Sequence, residues 1–169
     1  MKIRRLLPSD ASAFQALRLA GLHEVPSAFG SSYEEEENLP VSVIEGHLVV
    51  KSDRGLFGAF ENDSLVGIVA LGRESMNKLA HKAFVWGMYV TPNARAKGIG
   101  RALLLEALKL ARSVPEIKQV NLCVNASNAN AICLYESVGF KAFGREPGAM
   151  YIRGEFHDEF HMYLRFTKG

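Results

Sequence analysis

Residues 90–104, VTPNARAKGIGRALL, place two glycines and three cations where an apolar run gives way to a helical pattern. Glycine destabilises a helix unless the backbone needs an unusual conformation or a close approach to a ligand. The free N–H groups at a helix N-terminus bind anions, and Arg95, Lys97 and Arg101 would add charge-assisted contacts. The stretch therefore predicts an anion-binding turn, with a tight turn surrounded by solvated cations as the alternative.

Two familiar phosphate-binding motifs do not fit this stretch. The P-loop needs a Gly-Lys-Ser/Thr sequence after its spacer, and neither the lysine nor the hydroxyl is present. The dinucleotide fingerprint GxGxxG needs a glycine at position 103, where the chain has Leu103. A nucleotide-phosphate binder of another kind stays open as an alternative.

A second set of candidate residues lies in NASNANAICLYESVGF, residues 125–140. Asn128 and Tyr135 are seven residues apart, so two helical turns place them on one face. A tyrosine hydroxyl is a hydrogen-bond donor and a weak acid with a pKa near 10. The alternatives are an amphipathic core tyrosine and an asparagine that caps the helix.

Together the two stretches resemble the signatures of the GCN5-related N-acetyltransferases. Arg95-x-x-Gly98-x-Gly100 is similar to the family motif that grips the pyrophosphate of acetyl-CoA. Residues 125–140 look like the second signature, an Asn, then Ala, then Leu-Tyr, then Gly-Phe. Residues 17–36 are similar to a common subgroup in which the first two helices wall the acceptor pocket, so the resemblance covers nearly the whole chain.

The resemblance implies transfer of an acetyl group from acetyl-CoA to a primary amine, by direct attack in a ternary complex. It makes Tyr135 the general acid. It also places the pantetheine arm of the cofactor between two strands that splay apart. The family has a bulge in the first of these strands, and we expect that bulge at Gly87. Close packing is the alternative reason for that glycine, and no metal is expected. The implied cofactor-binding residues are Met88, Tyr89, Val90, Arg95, Ala96, Lys97, Gly98, Ile99, Gly100, Arg101 and Asn128.

The base that deprotonates the amine is not evident from the sequence. Many relatives carry a glutamate on the strand before the phosphate loop, but residues 83–90 contain no carboxylate. Ordered water, or a residue of the acceptor wall such as His23, Glu24 or Glu34, would then serve. The missing carboxylate also leaves open a non-catalytic acyl-CoA-binding sensor or regulatory module on the same fold.

Several side chains outside these motifs are interpreted as structural. The two cysteines, Cys123 and Cys133, are expected to be small buried hydrophobes, and without an evident basic partner neither suggests a covalent acetyl-enzyme. Core packing is the expectation for Trp86 and Tyr151, with aromatic side chains of a pocket as the alternative. The four glutamates at 34–37 are interpreted as the solvated face of a short helix.

The hydrophobic period predicts the elements that must position these residues. Their order is β-α-α-α-β-β-β-α-β-α-β-β, with a β-α-β crossover that makes the strands at 85–90 and 120–124 parallel. The remaining hairpins make the sheet mixed and mostly antiparallel. We expect an α/β fold with helices on both faces and a splayed parallel strand pair, which by the resemblance is the acyl-CoA N-acyltransferase fold. The last strand is expected to begin near Phe156, and the one before it to end at Glu146.

Composition restricts the remaining function classes. The 169 residues predict a single domain, 1–169, and 20 Lys+Arg against 18 Asp+Glu are too balanced for general nucleic-acid binding. No apolar run is long enough for a membrane span, and the first ten residues lack a signal-peptide pattern. The expected location is cytoplasmic, the expected acceptor is a small-molecule or protein amine, and a homodimer is left open.

Overall fold

The computed structural model describes residues 1–167, which form seven strands and five α-helices in the predicted order. None of these helices is both long and apolar enough to cross a bilayer. The elements are β1 (Lys2–Arg5), α1 (Ala11–Glu24), α2 (Tyr33–Glu36), α3 (Val41–His47), β2 (Gly55–Glu61), β3 (Ser64–Arg73), β4 (Lys82–Val90), α4 (Ile99–Ser113), β5 (Gln119–Asn125), α5 (Ala129–Val138), β6 (Lys141–Ile152) and β7 (Glu155–Arg165).

All seven strands join one sheet in the order β1-β2-β3-β4-β5-β7-β6. Every neighbouring pair is antiparallel except β4 and β5, which are parallel and are connected by the crossover helix α4. The predicted mixed sheet with one parallel pair is therefore confirmed.

Helices cover both faces of the sheet. Strands β2 and β3 therefore direct their apolar side chains alternately into two cores, one on each face. Leu56 and Ile68 belong to the core that α1 and α3 close, whereas Phe57 and Val69 belong to the core under α4. Successive strand residues point to opposite faces, so continuous apolar runs bury both sides of these strands.

The β2–β3 hairpin turns at Asn62 and Asp63, as the sequence predicts. Their φ angles are 48° and 63°, in the left-handed region that two-residue hairpin turns require and that Asn and Asp tolerate. The strand before this turn ends at Glu61 and the next begins at Ser64.

Strand β6 is longer than expected. The sequence predicts an end at Glu146, but the strand continues to Ile152 beyond a shift of register between Glu146 and Met150. This irregular segment contains Pro147 and Gly148, which break the strand pattern in the sequence. Asp158 of β7 accepts a hydrogen bond from the Gly148 N–H at 2.9 Å and so fixes the bulge to its partner strand.

Packing of α4 against the sheet is expected to dominate stability. Leu103 is 0% exposed and Leu105 on the same helix is 37% exposed. Leu103→Ala should lower the free energy of unfolding by about 2–5 kcal/mol, because it removes buried methyl groups and leaves a cavity. Urea denaturation measures the change.

Leu105→Ala is the matched control, and it should cost less than about 1 kcal/mol. Equal losses for the two variants would contradict the assignment of Leu103 to the sheet-facing side of α4.

Candidate active site

Strands β4 and β5 part after a short parallel contact. Pairing covers only Lys82–Phe84 against Gln119–Asn121. On its other edge β4 pairs with β3, where Trp86 pairs with Ala70 and Tyr89 pairs with Ile68. Two residues of β4, Gly87 and Met88, therefore lie opposite one residue of β3. Gly87, with φ +63°, is one of the two residues in this bulge, so the bulge predicted at that position is confirmed.

The bulge reverses the alternation of side chains along β4. Before it, Val85 packs in the core under α4; after it, Tyr89 packs in the core under α1. In a regular strand these two residues, four apart, would share a face. The extra residue therefore turns Met88 toward the core on the α4 side and opens the end of the strand pair.

A cavity of about 510 Å³, here named the splay cleft, lies where the two strands separate. Trp86 and Met88 of β4 line it, together with Asn128, Ala131 and Tyr135 at α5. A second cavity of about 450 Å³, the β4–α5 groove, adjoins it, because Met88, Asn128 and Ala131 line both.

Five of the predicted cofactor-binding residues line the β4–α5 groove: Met88, Tyr89, Val90, Arg95 and Asn128. They come from the end of β4, the turn after it and the start of α5. Residues that are distant in sequence thus meet at one opening beside the start of α4.

The start of α4 has the backbone that the glycine pattern predicts. Gly98 is the N-cap residue with φ +78°, and no side chain caps the helix, so the first-turn N–H groups are left for solvent or a ligand. A Cβ on Gly98 would meet nothing within 4 Å, so the left-handed conformation and not crowding requires glycine there. Ala96 also has a positive φ, 60°, and Ile99 anchors the turn in the core.

The other glycine of the motif has a packing role. A Cβ on Gly100 would lie 3.4 Å from Leu134 Cδ2, which shows how closely α4 approaches α5. This contact holds the first turn of α4 next to the helix that presents Asn128 and Tyr135.

The three cations of this turn have different surroundings. Arg95 Nη2 lies 2.9 Å from Glu24 Oε1, and its Nε donates to the Val90 carbonyl oxygen at 2.9 Å. Lys97 Nζ lies 3.5 Å from Glu61 Oε2, and Arg101 is exposed on the first turn of α4. The cations surround the bare amides on the exposed side of the turn.

Glu24, one of the three candidate bases, is engaged in this network. The buried Tyr89 hydroxyl donates to its carboxylate. This hydrogen bond, with a smaller contribution from Arg95, lowers the pKa of Glu24, while burial and the same carboxylate raise the pKa of Tyr89 to about 12. An ionised carboxylate with two donors is a weak base, so the geometry gives Glu24 a structural role.

His23 and Glu34, the other two candidates, line a third cavity of about 520 Å³, named the hairpin cavity. It lies between the segment around α2 and the β6–β7 hairpin, and it adjoins the splay cleft at Phe29, Gly30 and Met150. Neither candidate lines the splay cleft itself.

Asn128 is the N-cap residue of α5. Its side-chain oxygen Oδ1 accepts from the Ala131 N–H at 3.1 Å, which is the capping role considered from the sequence. The side-chain amide nitrogen is a separate donor group on the wall of both cavities.

Tyr135 brings a phenol to the splay cleft. It is 7% exposed, and its ring packs edge-on against Phe140 with the ring centroids 6.0 Å apart. Burial raises the pKa of Tyr135 to about 12, so the hydroxyl keeps its proton throughout the neutral range. The residue is thus both a buried tyrosine and a hydrogen-bond donor on the cleft.

Sequence reasoning missed a carboxylate in the splay cleft, Glu159 of β7. It pairs in register with Asn125 of β5 and with Glu146 of β6. Burial, reinforced by the charge of Glu146, raises the pKa of Glu159 above its usual range. The signal available in the sequence was the two-residue strand period, which places positions 159 and 161 on one face of β7.

The cysteines were expected to be buried, but both are exposed. Cys123 lines the splay cleft because the other face of β5, with Leu122 and Val124, fills the core. Its Sγ lies 3.3 Å from His161 Nδ1, so it does have a basic neighbour. Burial, followed by nearby carboxylates, raises the pKa of the Cys123 thiol, which favours the protonated form.

His161 also contacts Glu146, with Nε2 2.9 Å from Oε2. Residues 1–167 contain no group of three His, Cys, Asp or Glu side chains arranged to hold a metal ion. The HDEFH segment forms part of strand β7, as its alternation predicts.

Trp86 and Tyr151 were expected in the core, and this expectation is wrong. Trp86 is 40% exposed in the splay cleft, and Tyr151 is 66% exposed in the hairpin cavity. Trp86 lies between the last residue of β4 that pairs with β5 and the bulge, and Tyr151 lies in the extension of β6 beyond its own bulge.

A buried ion pair joins α1 to α2 next to the splay cleft. Arg18 donates from Nε and Nη2 to the two carboxylate oxygens of Glu36, at 2.7 and 2.8 Å. Ser31 Oγ also donates to Glu36 at 2.5 Å. Glu36 therefore differs from the solvated helix face expected for residues 34–37, because its partner sits on the buried face of α1.

Comparison with known proteins places this geometry in one family. The model of the Acetyltransferase (GNAT) family matches residues 20–140. A spermidine N(1)-acetyltransferase from Vibrio cholerae serotype O1 is 25% identical over 140 residues, which cover 83% of this chain and 79% of that relative.

Two solved structures share the fold. A GNAT-family acetyltransferase from Streptococcus pneumoniae superposes with a TM-score of 0.87 at 24% identity, covering 98% of this chain and 99% of the other. The structure of yncA from Salmonella typhimurium with its cofactor acetyl-CoA superposes with a TM-score of 0.83 at 20% identity, covering 100% of this chain and 95% of the other.

The Arg18–Glu36 pair gives a prediction for stability. The Arg18 and Glu36 side chains are 9% and 13% exposed, so Glu36→Ala leaves a buried charge without its partner. The free energy of unfolding should fall by about 3–5 kcal/mol at neutral pH in chemical denaturation. Glu37→Ala, the exposed neighbour, should have little effect.

The loss should also depend on pH. Burial opposes ionisation of Glu36, but hydrogen bonds from Arg18 and Ser31 outweigh it and lower the pKa of Glu36 below 4.5. The stabilisation is present above that value and lost as the pH falls through the lowered pKa of the folded state. A constant difference between wild type and Glu36→Ala across that range would contradict the assignment.

Proposed function

The chain belongs to the acetyltransferase (GNAT) family, and from that premise we propose that it transfers the acetyl group of acetyl-CoA to a primary amine by direct attack in a ternary complex. The main support is the position of Tyr135, a buried and protonated phenol on the wall of the splay cleft. The adjoining β4–α5 groove shares Met88, Asn128 and Ala131 with this cleft and includes Arg95, in the turn that precedes the bare amides of α4.

The residues present fit the donor. The first-turn amides of α4, freed by the left-handed Gly98, are suited to the pyrophosphate, with Arg95, Lys97 and Arg101 as counter-charges. Within residues 1–167, the edge of β4 that faces β5 has no strand partner beyond Phe84, so the backbone of Met88, Tyr89 and Val90 can pair with pantetheine amides. The Asn128 amide nitrogen would donate at the junction of groove and cleft.

Acetyl-CoA supplies an activated acyl group as a thioester. Tyr135 would donate its proton toward the departing sulfur. Its pKa of about 12, raised by burial, keeps the proton in place until negative charge develops on the sulfur. Neutralising that charge is the contribution expected of a general acid.

Glu159 is the residue that we propose as proton acceptor for the incoming amine. It lines the same cleft as Tyr135, and its raised pKa is closer to neutrality than that of an exposed glutamate. The carboxylate that the sequence lacks on β4 would thus come from β7, on the other side of the separated strands.

The acceptor is proposed to be a small-molecule or protein amine, and the relative named as a spermidine N(1)-acetyltransferase supports a small amine. The cytoplasmic location, the homodimer and the absence of a nucleic-acid partner stay predictions from the sequence.

The role of Tyr135 is tested by Tyr135→Phe, which removes one hydroxyl and keeps the ring. We expect kcat to fall by about 10²–10⁴-fold, because the sulfur then leaves without a proton donor. CoA thiol release with an amine panel measures turnover, and calorimetry should show acetyl-CoA binding within about threefold of wild type.

Tyr163→Phe is the control, since Tyr163 packs on Phe143 of β6 and does not line the cleft. Unchanged turnover in Tyr135→Phe would contradict the acid role. Tight CoA binding by the wild type with no turnover of any amine would instead favour the acyl-CoA sensor.

The role of Glu159 is tested by a pH profile. With wild type, kcat should fall as acid protonates the base, at a pH above the usual range of a glutamate because burial raises that pKa. Glu159→Gln should lower kcat by about 10²-fold or more and remove this acidic limb. Glu155→Gln, at the exposed start of β7, should keep the wild-type profile; a limb that survives in Glu159→Gln would assign the base elsewhere.

A further inference from the structure

The guanidinium of Arg18 is only partly used by the protein. Arg18 is 8% exposed, and Nε and Nη2 donate to Glu36, with Nη2 also donating to Ser31 Oγ at 3.0 Å. Its third nitrogen, Nη1, is buried and has no hydrogen-bond partner within residues 1–167. A buried donor without an acceptor has lost its hydrogen bonds to water and gained none in return, so its persistence points to a partner outside the chain.

Arg18 Nη1 lies at the wall of the splay cleft. A Cβ built on Gly87 would be 3.2 Å from this nitrogen, which places it beside the β4 bulge. The guanidinium carbon is 5.3 Å from the ring centroids of both Phe29 and Trp86. All four residues line the cleft, and the two rings with Glu36 fix the direction of the remaining donor.

The second buried polar atom without a partner in the described chain shows the contrast. Gln15 Oε1 also lies on α1, but Gln15 does not line the splay cleft. Of these two atoms, Arg18 Nη1 is the one that belongs to a residue lining the splay cleft.

We propose that Arg18 recognises an oxyanion on the acceptor, which makes the acceptor class a small α-amino acid or a close analogue; this rests on the proposed acetyl transfer. A carboxylate oxygen at Nη1 completes the donor set of the guanidinium with a charge-assisted bond, about twice as strong as one to a neutral carbonyl. Glu159, on β7, lines the same cleft and would face the amine of the same molecule.

This arrangement separates the two ends of the acceptor by charge. An arginine donor and a carboxylate in one cleft suit a zwitterion, whereas a polyamine would place a second cation near Arg18. Arg18 is thus a specificity-determining residue, and it takes no proton in the reaction.

The experiment compares matched amines on the full chain with acetyl-CoA, following CoA thiol release. Each L-amino acid is paired with the amine that lacks its carboxylate: phenylalanine with phenethylamine, methionine with 3-(methylthio)propylamine and lysine with 1,5-diaminopentane. Spermidine and the amino-acid amides complete the panel. Wild type should prefer at least one free amino acid over its partner amine and its amide by about 10-fold to 100-fold in kcat/KM.

Arg18→Lys should reduce this preference to about threefold or less, mainly through a higher KM for the amino acid. The lysine keeps a cation opposite Glu36, and a thermal melt checks that the variant is folded. Arg4→Lys is the matched control, because Arg4 forms a similar two-bond pair with Asp10 away from the cleft. It should leave the preference unchanged.

The outcomes separate the two proposals. If wild type acetylates carboxylate-free amines or amides as well as amino acids, the role of Arg18 is overturned and acetyl transfer stands. If Arg18→Lys folds and keeps the wild-type preference, the role is overturned as well. If it does not fold, the wild-type preference decides alone. Acetyl-CoA binding with no turnover of any amine would overturn the proposed function itself.

Discussion

The β-bulge at Gly87 is the feature on which the rest of the site depends. One extra residue in β4 changes which face Val85 and Tyr89 occupy, and the pairing with β5 ends before it. The end of the β4–β5 pairing and the bulge lie within a few residues of each other along β4. Together they border the splay cleft, in which Trp86 is exposed.

Two ion pairs connect α1 to the rest of the site, and they differ in character. Arg18 and Glu36 are buried, so their attraction is weakly screened and also satisfies groups that cannot reach water. Arg95 and Glu24 lie closer to solvent, with side chains 45% and 34% exposed, and their attraction alone contributes little stability. The Arg18–Glu36 pair is suited to hold α1 and α2 together beside the splay cleft. The Arg95–Glu24 pair is suited to open when another anion binds Arg95.

Short local sequence patterns were sufficient to predict most of the fold and part of the site. The glycine turn, the cap at Asn128 and the bulge at Gly87 each depend on a few neighbouring residues, so the sequence predicts them directly. Glu159 and Arg18 reach the cleft through strand register and helix packing, which no short stretch encodes. The exposure of Cys123 was missed for the same reason, since β5 buries one face in the core and leaves the other uncovered.

Arg95 ties the end of α1 to the turn before α4 through Glu24, and Glu24 also holds Tyr89. A phosphate that binds Arg95 would compete with Glu24 for the guanidinium. Occupancy of the phosphate site would therefore change the free energy of the end of α1 to which Glu24 belongs. Linkage is reciprocal: if phosphate binding changes the affinity for a molecule that contacts α1, then that molecule changes the affinity for the phosphate by the same factor. The two substrates would therefore bind interdependently, with the first to arrive setting the affinity for the second.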